Sequence, residues 1–199
     1  VQLTLRQLRA GLLELGAPCK GGGTILPVGK KDGRQRAVWH GSRVSFAAAR
    51  PPAPRLLADP SGLAALHVRP GHLLRLTKRD CRRLFDQLVL PPRLRPYMAR
   101  PRVSRADLQE AGATAAELHS WLAPGARATA LGFWPLSRAW CMGFSWSSFV
   151  AQETLLAVLK RAGIEEARAI CGTKPVPSDL GLAFALATDD VMLLSDAGP

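Results

Sequence analysis

Two adjacent aspartates, Asp189 and Asp190, interrupt the apolar stretch "FALATDDVMLLS" at residues 184–195. An unpaired buried carboxylate is costly and two neighbouring ones repel, so such a pair is tolerated at a solvated turn or beside a cation. One interpretation is therefore a metal site. The other is a hairpin turn in which "TDD" joins two strands, and a motif this short does not separate the two.

A third carboxylate is needed if the pair serves metal-assisted phosphoryl transfer. That chemistry uses two divalent cations about 4 Å apart, held by carboxylates. The third carboxylate is expected at the end of a neighbouring strand, and Asp80 ends the segment "HLLRLTKRD". The alternative role of Asp80 is an ordinary N-cap for the segment that follows.

The charge balance favours a polyanionic partner. The chain has 199 residues with 27 Lys and Arg against 15 Asp and Glu, which gives a formal net charge of +12. Nucleic acid is the leading partner class because such a chain gains binding energy from counterion release. A solvated basic surface is the alternative, and an anionic membrane fits less well because the arginines are dispersed. The length is sufficient for one full core or for two small subdomains that share one, and a single compact unit is the default expectation. The 47% hydrophobic content is typical of a globular protein.

The cysteines and histidines form no recognisable metal or redox motif. The four cysteines lie 30 or more residues apart and the histidines show no HExxH spacing, so both sets are interpreted as structural. No apolar run approaches the roughly 18 residues that span a bilayer, and no signal-peptide pattern opens the chain. The predicted compartment is intracellular, nucleus or cytoplasm, with no membrane partner.

Hydrophobic periodicity predicts a mixture of helices and strands. Helices are expected at 3–16, with Gly16 as its cap, at 104–123, with Ser104 as its N-cap, and at 147–163. Strands are expected at 24–28 and 36–40 as a hairpin, at 72–80, at 128–136, and as two short strands within 182–195. The Pro-rich stretch 50–62 should be an extended connection. Strands and helices mix without a regular βαβ rhythm, so the predicted fold class is α+β.

Four segments in this order resemble motifs of reverse transcriptases, the RNA-directed DNA polymerases of retroelements such as retrotransposons. They are "GKKDGRQRAVWHGSR", similar to a fingers motif, and "RDCRRLF", "WCMGFSWSSFVAQ" and "LATDDVMLLS", similar to motifs A, B and C. The resemblance implies a right-hand polymerase with fingers at 1–73 and 91–127 and palm at 74–90 and 128–199. An antiparallel sheet backed by helices is expected. No thumb, primer grip or RNase H region is recognised, so the chain is interpreted as a fingers and palm fragment.

The resemblance implies that three aspartates hold two Mg²⁺ ions, which Mn²⁺ can replace. Asp80 matches the first metal-binding aspartate, and Asp189 and Asp190 match the acidic pair, with Asp189 the more direct ligand. Phe85, five positions after Asp80, matches the aromatic steric gate that selects deoxynucleotides; a core phenylalanine is the alternative. Ala187 stands where motif C of the family usually has Tyr, so a ring expected near the primer terminus is missing.

Other matched residues are implied to contact the incoming nucleotide. Lys30 or Lys31 and Arg36 match the cations that hold its triphosphate, although a solvated basic turn is the alternative. In motif B, Gly143 matches the small residue at which the backbone approaches the base pair. The full predicted nucleotide-binding set is Lys30, Lys31, Arg36, Phe85, Met142, Gly143 and Gln152.

The leading hypothesis is template-directed DNA synthesis by an RNA-directed DNA polymerase, a nucleotidyltransferase. Its partners would be an RNA or DNA template with primer and deoxynucleoside triphosphates. A second hypothesis is a decayed or non-catalytic reverse transcriptase relic that binds nucleic acid, motivated by Ala187. A third is an unrelated globular protein with accidental motif matches. Template preference, type of retroelement and oligomeric state are not predicted, nor is the activity of this fragment alone.

Overall fold

The structure is a computed structural model that describes residues 1–16, 19–126, 132–178 and 181–197. The chain folds as two compact units. Unit 1 comprises Val1–Arg50 and Phe85–Ser147, and unit 2 comprises Pro51–Leu84 and Ser148–Pro199. These divisions do not coincide with the fingers and palm ranges given above, which stay a prediction.

Short helices and strands alternate irregularly along the chain, which confirms a mixed fold with small antiparallel sheets. In chain order they are α1 (Gln2–Arg9), β1 (Leu13–Gly16), β2 (Thr24–Gly29), β3 (Gln35–His40), α2 (Ser42–Ala47), α3 (Pro60–Ala64), β4 (Leu74–Asp80), α4 (Leu84–Gln87), α5 (Arg105–Glu110), α6 (Ala115–Ser120), β5 (Trp134–Ser137), α7 (Ser147–Arg161), β6 (Ala183–Ala187) and β7 (Asp190–Asp196). Two 3₁₀ helices cover Pro92–Tyr97 and Glu166–Arg168.

Unit 1 contains two antiparallel strand pairs. β2 pairs with β3 from Thr24 opposite His40 to Gly29 opposite Gln35, so the predicted basic hairpin is confirmed. β1 pairs with β5, which lies about 120 residues further along the chain. β5 covers the end of the strand predicted at 128–136, whereas residues 128–131 lie outside the described residues.

The helix predicted at 3–16 is wrong in its second half. α1 ends at Arg9, Gly11 has a φ of +70°, and the chain then enters β1. Glycine adopts left-handed φ without steric cost, so it ends the helix here. Leucines of α1 and β1 pack into one buried cluster, which explains the helix-like spacing of Leu5, Leu8 and Leu15.

The predicted single helix at 104–123 is wrong, because two short helices form there. The Ser104 hydroxyl accepts a hydrogen bond from the amide of Asp107 at 2.9 Å, as expected of the predicted N-cap. Gly112 has a φ of +99° after α5, and Thr114 forms a second capping box with Glu117. Hydrogen bonds from the Arg9 guanidinium to the same Glu117 carboxylate lower its pKa to about 2.

Unit 2 is built on a three-stranded antiparallel sheet in the order β4-β7-β6. Its strands confirm the predicted strand ending at Asp80 and the predicted pair around the aspartates. Ile170, Ala183, Ala185 and Leu194 form a buried cluster on this sheet. α7 confirms the predicted helix, and Gly163 beyond it has a φ of +81°. The Pro-rich connection is irregular until Pro60, where α3 begins.

Within the described ranges, no helix is both long enough and apolar enough to cross a membrane.

Candidate active site

The antiparallel register of unit 2 pairs two of the three predicted metal-binding residues. Asp80 is the last residue of β4 and lies opposite Asp190, the first residue of β7. Directly opposed residues project from the same face of a sheet, with Cβ atoms about 4.5–5.5 Å apart. Strand pairing alone therefore brings Asp80 and Asp190 side by side.

The third aspartate lies in the turn between β6 and β7. Thr188 and Asp189 form this two-residue turn, which is closed by the pair of Ala187 and Asp190. The Asp189 carbonyl accepts a hydrogen bond from the amide of Cys81 at 3.2 Å. Since Cys81 follows Asp80 directly, this bond fixes the turn beside the end of β4.

Two of the carboxylates affect the pKa of the Cys81 thiol. Burial raises the pKa of this thiol, and the negative charges of Asp80 and Asp189 raise it further. A nearby negative charge disfavours the thiolate, and the effect weakens with distance. Asp80 and Asp189 therefore both disfavour ionisation of the same thiol.

A lysine binds the remaining carboxylate. The Lys78 ammonium lies 3.2 Å from Oδ1 of Asp190, and the two side chains are 57% and 45% exposed. Lys78 precedes Asp80 by two residues, so it occupies the same face of β4. The spacing of Lys78 and Asp80 in a strand indicates that they share a face. Their charges alone do not distinguish Lys78 from the other basic residues of the chain.

Carboxylate oxygens are suitable ligands for Mg²⁺ or Mn²⁺, so the donor type fits a divalent cation. Among the residues that the structure describes, however, no three His, Cys, Asp or Glu side chains are gathered as a metal-binding group. The backbone thus pairs Asp80 with Asp190 and fixes Asp189 nearby.

Gln152, predicted to bind nucleotide, lies in the interior of unit 2. Its side chain on α7 is 0% exposed. Its Oε1 accepts a hydrogen bond from the amide of Thr188 at 2.8 Å, and its Nε2 donates to the carbonyl of Arg55 at 3.0 Å. Thr188 has a φ of +59°, which is rare for a β-branched residue. The resemblance did not predict this contact with the aspartate turn.

The turn between β2 and β3 carries the predicted triphosphate-binding cations in unit 1. The Lys30 amide donates to the carbonyl of Arg34 at 2.8 Å, and Gly33 has a φ of +77°. The Arg34 guanidinium hydrogen-bonds the Asp32 carboxylate at 2.8 Å and lowers its pKa. The hairpin has a concave surface that encloses a volume of about 500 Å³. It is lined by Val28, Gly29, Lys30, Lys31, Asp32, Arg36 and Val38.

The predicted motif B residues of unit 1 contact this hairpin. The Trp39 amide donates to the carbonyl of Met142 at 3.1 Å, and the Arg36 guanidinium lies 3.7 Å from the Met142 sulfur. Gly143 has a φ of +106°, and a Cβ there would overlap the Trp39 carbonyl oxygen. Three predicted nucleotide-binding residues, Arg36, Met142 and Gly143, are thus brought together.

The predicted site residues are divided between the two units. Phe85, the predicted steric gate, begins the second segment of unit 1 and is half-buried in α4. Unit 1 also holds Lys30, Lys31, Arg36, Met142 and Gly143, and unit 2 holds Asp80, Gln152, Asp189 and Asp190.

Comparison with known proteins finds similarity of fold. The sequence matches no family profile and no curated protein. Crystal structures of prototype foamy virus protease-reverse transcriptase are similar with TM-scores of 0.54 for the native protein and 0.55 for a CSH mutant, at 17% and 18% sequence identity. A structure of the foamy viral protease-reverse transcriptase in complex with dsDNA has a TM-score of 0.56 at 15% identity.

These comparisons cover 94% of this chain but only 18% to 28% of the neighbours' chains. The chain therefore spans much less than half the length of the proteins that it resembles. At such low identity the similarity shows a reverse-transcriptase-like fold.

Proposed function

We propose that the chain belongs to the fingers and palm of a reverse-transcriptase-like polymerase that adds deoxynucleotides to a primer on an RNA or DNA template. The observation that carries this proposal is the strand register in which Asp80 is the partner of Asp190, with Asp189 in the adjoining turn. The similar fold of the foamy virus structures supports it.

In the proposed reaction, Asp80 and Asp189, assisted by Asp190, would hold two divalent cations. Two Mg²⁺ ions held there would supply charge stabilisation that lowers the pKa of the primer 3′-hydroxyl and favours release of pyrophosphate. The chain itself would keep the three carboxylates at one end of a sheet. Pairing of β4 with β7 positions Asp80 and Asp190, and the hydrogen bond from the Cys81 amide to the Asp189 carbonyl positions Asp189.

The exposed cations of unit 1 would bind the triphosphate of the incoming nucleotide. Lys30, Lys31 and Arg36 line one concave surface, where charge-assisted hydrogen bonds to phosphate oxygens are favourable. Arg36 can bind two oxygens at once through its planar guanidinium. Met142, next to Arg36, would pack on the nucleotide, and Phe85 would exclude a 2′-hydroxyl.

The test is incorporation of a single labelled deoxynucleotide into a primer annealed to an RNA or DNA template, with Mg²⁺ or Mn²⁺. Asp80→Asn and Asp189→Asn should each lower the rate at least about 10³-fold, because several kcal/mol of transition-state stabilisation depend on the metal ions. Glu165→Gln removes an exposed carboxylate elsewhere in unit 2 and is the matched control. Incorporation that survives in both Asp variants would contradict the proposal.

A second candidate function is favoured by the Lys78–Asp190 ion pair and by Ala187: a relic that binds nucleic acid without catalysis. In such a protein the lysine would neutralise a carboxylate that no longer binds metal. Its nucleic-acid affinity would fall steeply with salt, since binding depends on counterion release, and would not depend on Mg²⁺. Metal-dependent incorporation by the wild-type chain would exclude this alternative.

A further inference from the structure

We infer that Gln152 is a positioning residue that holds the Thr188–Asp189 turn in the conformation that presents Asp189. The inference rests on the proposed function and deepens it, because it assigns Gln152 a role in the carboxylate site of unit 2. In this role the carboxamide acts through the backbone of the turn and does not touch the nucleotide.

The hydrogen bonds of Gln152 use both ends of its carboxamide. Oε1 accepts from the Thr188 amide at 2.8 Å, while Nε2 donates to the carbonyls of Arg55 at 3.0 Å and Leu186 at 3.5 Å. The side chain is 0% exposed, so water does not compete for these groups. A carboxamide offers two N–H donors and an acceptor oxygen, which matches this set of partners.

Two of the contacted backbone groups lie in the turn or just before it. The Leu186 carbonyl lies near the end of β6, and the Thr188 amide is that of the residue just before Asp189. Thr188 holds a φ of +59°, a left-handed conformation that is unfavourable for a residue with a Cβ. A strained conformation persists only where its surroundings fix it, and the Gln152 carboxamide supplies such a contact.

The other partner of Gln152 is itself held in place. The Arg55 guanidinium lies 2.8 Å from Glu153 and 3.4 Å from Glu166. Three residues further on, the Ala58 amide donates to the Leu186 carbonyl at 2.8 Å. The carboxamide therefore joins the turn to a neighbouring backbone segment that has contacts of its own with α7 and β6.

The experiment replaces the carboxamide and follows the turn directly. Gln152→Met keeps the length of the side chain but has no amide donor or carbonyl acceptor. Hydrogen exchange of the Thr188 amide, measured by NMR, reports the turn without reference to activity. Equilibrium Mn²⁺ binding reports the carboxylate site, with Asp189→Asn as the reference. Thr154→Val is the matched control, because Thr154 makes a hydrogen bond on the same helix with the Val150 carbonyl.

Gln152→Met should abolish the exchange protection of the Thr188 amide and lower Mn²⁺ affinity about 10–100-fold, as loss of an outer-shell partner does. Thr154→Val should change neither. Protection that persists in Gln152→Met would overturn the inference, and so would unchanged Mn²⁺ affinity when Asp189→Asn lowers it. Unchanged Mn²⁺ binding in Asp189→Asn would instead contradict the proposed metal site. In that case the exchange protection of the Thr188 amide in Gln152→Met would still decide whether Gln152 holds the turn.

Gln152→Glu keeps the inference testable if Gln152→Met does not fold. An ionised carboxylate cannot donate to the Arg55 or Leu186 carbonyl, whereas the protonated form has one O–H donor and still accepts from Thr188. Repulsion by the Arg55 and Leu186 carbonyl oxygens should displace the ionised side chain from the Thr188 amide, so the protection factor of this amide should rise as the pH falls and the introduced carboxyl group becomes protonated. A protection factor that is independent of pH, or that is lower at acid pH, would overturn the inference.

Discussion

Two hairpins of this molecule carry charged residues of the predicted site, and their turns are held in different ways. The Thr188–Asp189 turn in unit 2 is bound by the buried Gln152 side chain and by the Cys81 amide. The turn at Lys30–Arg34 in unit 1 is closed by its own backbone hydrogen bonds and by the surface pair of Asp32 with Arg34. The acidic turn is fixed by tertiary contacts, and the basic turn by local ones.

The difference matches what each turn would have to bind. Metal-ligand distances vary little, so a carboxylate site has to be held within about 0.5 Å of its working geometry. Long cationic side chains reach a polyphosphate from an exposed turn without such rigid support, since their charges act at longer range. We therefore expect substitutions that disturb backbone anchors to have larger effects than substitutions of exposed charges.

Gly143→Ala is expected to have the largest effect on stability, because the backbone of Gly143 lies close against β3, the strand that follows the basic turn. Gly143→Ala would place a Cβ against the Trp39 carbonyl at a φ of +106°. Strain and overlap together should destabilise unit 1 by about 3 kcal/mol. Urea denaturation measures this. Gly29→Ala is the matched control in the same hairpin, because a Cβ there meets nothing within 4 Å. Equal stability of both variants would show that β3 tolerates a Cβ at position 143.

Arg36 tests the exposed cations directly. Loss of its charge-assisted hydrogen bonds in Arg36→Ala should weaken deoxynucleoside triphosphate binding by about 1.5–3 kcal/mol, or roughly 10–100-fold. Arg36→Lys should recover part of this affinity. Arg50→Ala, an exposed arginine outside the concave surface, is the control and should change affinity by less than about twofold. An equal loss in Arg36→Ala and Arg50→Ala would mean that only overall charge matters.

Substitution of Lys78 tests whether its ion pair with Asp190 lowers the affinity of the carboxylate site for a metal ion. Lys78→Met should raise Mn²⁺ affinity by no more than about fivefold, since an exposed ion pair contributes about 0.2–1 kcal/mol. The gain should shrink at high salt, which screens exposed charges. Lys78→Arg keeps the pair and should leave affinity unchanged. If Lys78→Met lowers Mn²⁺ affinity, the ammonium group assists the site instead of competing with the metal.

Thr188 gives the smallest expected effect. Thr188→Gly removes left-handed strain of about 1–2 kcal/mol and adds an entropic cost of about 0.5–1 kcal/mol, so unit 2 should gain about 0.5 kcal/mol. The amide that Gln152 binds is retained. Thr188→Ala keeps a Cβ and is the control. If thermal denaturation shows Thr188→Gly to be less stable than Thr188→Ala, the left-handed strain at residue 188 is smaller than the entropic cost of glycine.

Local patterns predicted the parts of the fold whose contacts are short in sequence. The hairpin of β2 and β3 followed from two apolar runs around a Lys-Lys-Asp-Gly turn, and the pair β6 and β7 from the runs around Asp189. The spacing of Thr114 and Glu117 is that of a capping box, which indicates a new helix after Gly112. The apolar spacing of Leu108, Leu118 and Leu122 favours one long helix instead.

Local sequence patterns do not predict contacts between segments that are far apart in the chain. β1 was interpreted as helix because its partner, β5, lies about 120 residues away and does not affect local periodicity. The same applies to the site. Asp80 and Asp189 were recognised from their positions in motifs, whereas the contacts of Lys78 with Asp190 and of Gln152 with Thr188 arise only when strands and helix pack.

We have proposed that Asp80, Asp189 and Asp190 form a divalent-metal site, and anomalous X-ray diffraction from crystals of the chain soaked in Mn²⁺ would locate the ions. We expect anomalous density with carboxylate oxygens of both Asp80 and Asp189 at about 2 Å, and loss of this density in Asp189→Asn. Crystals that bind Mn²⁺ at other positions, or that leave these carboxylates without an ion at saturating Mn²⁺, would contradict it.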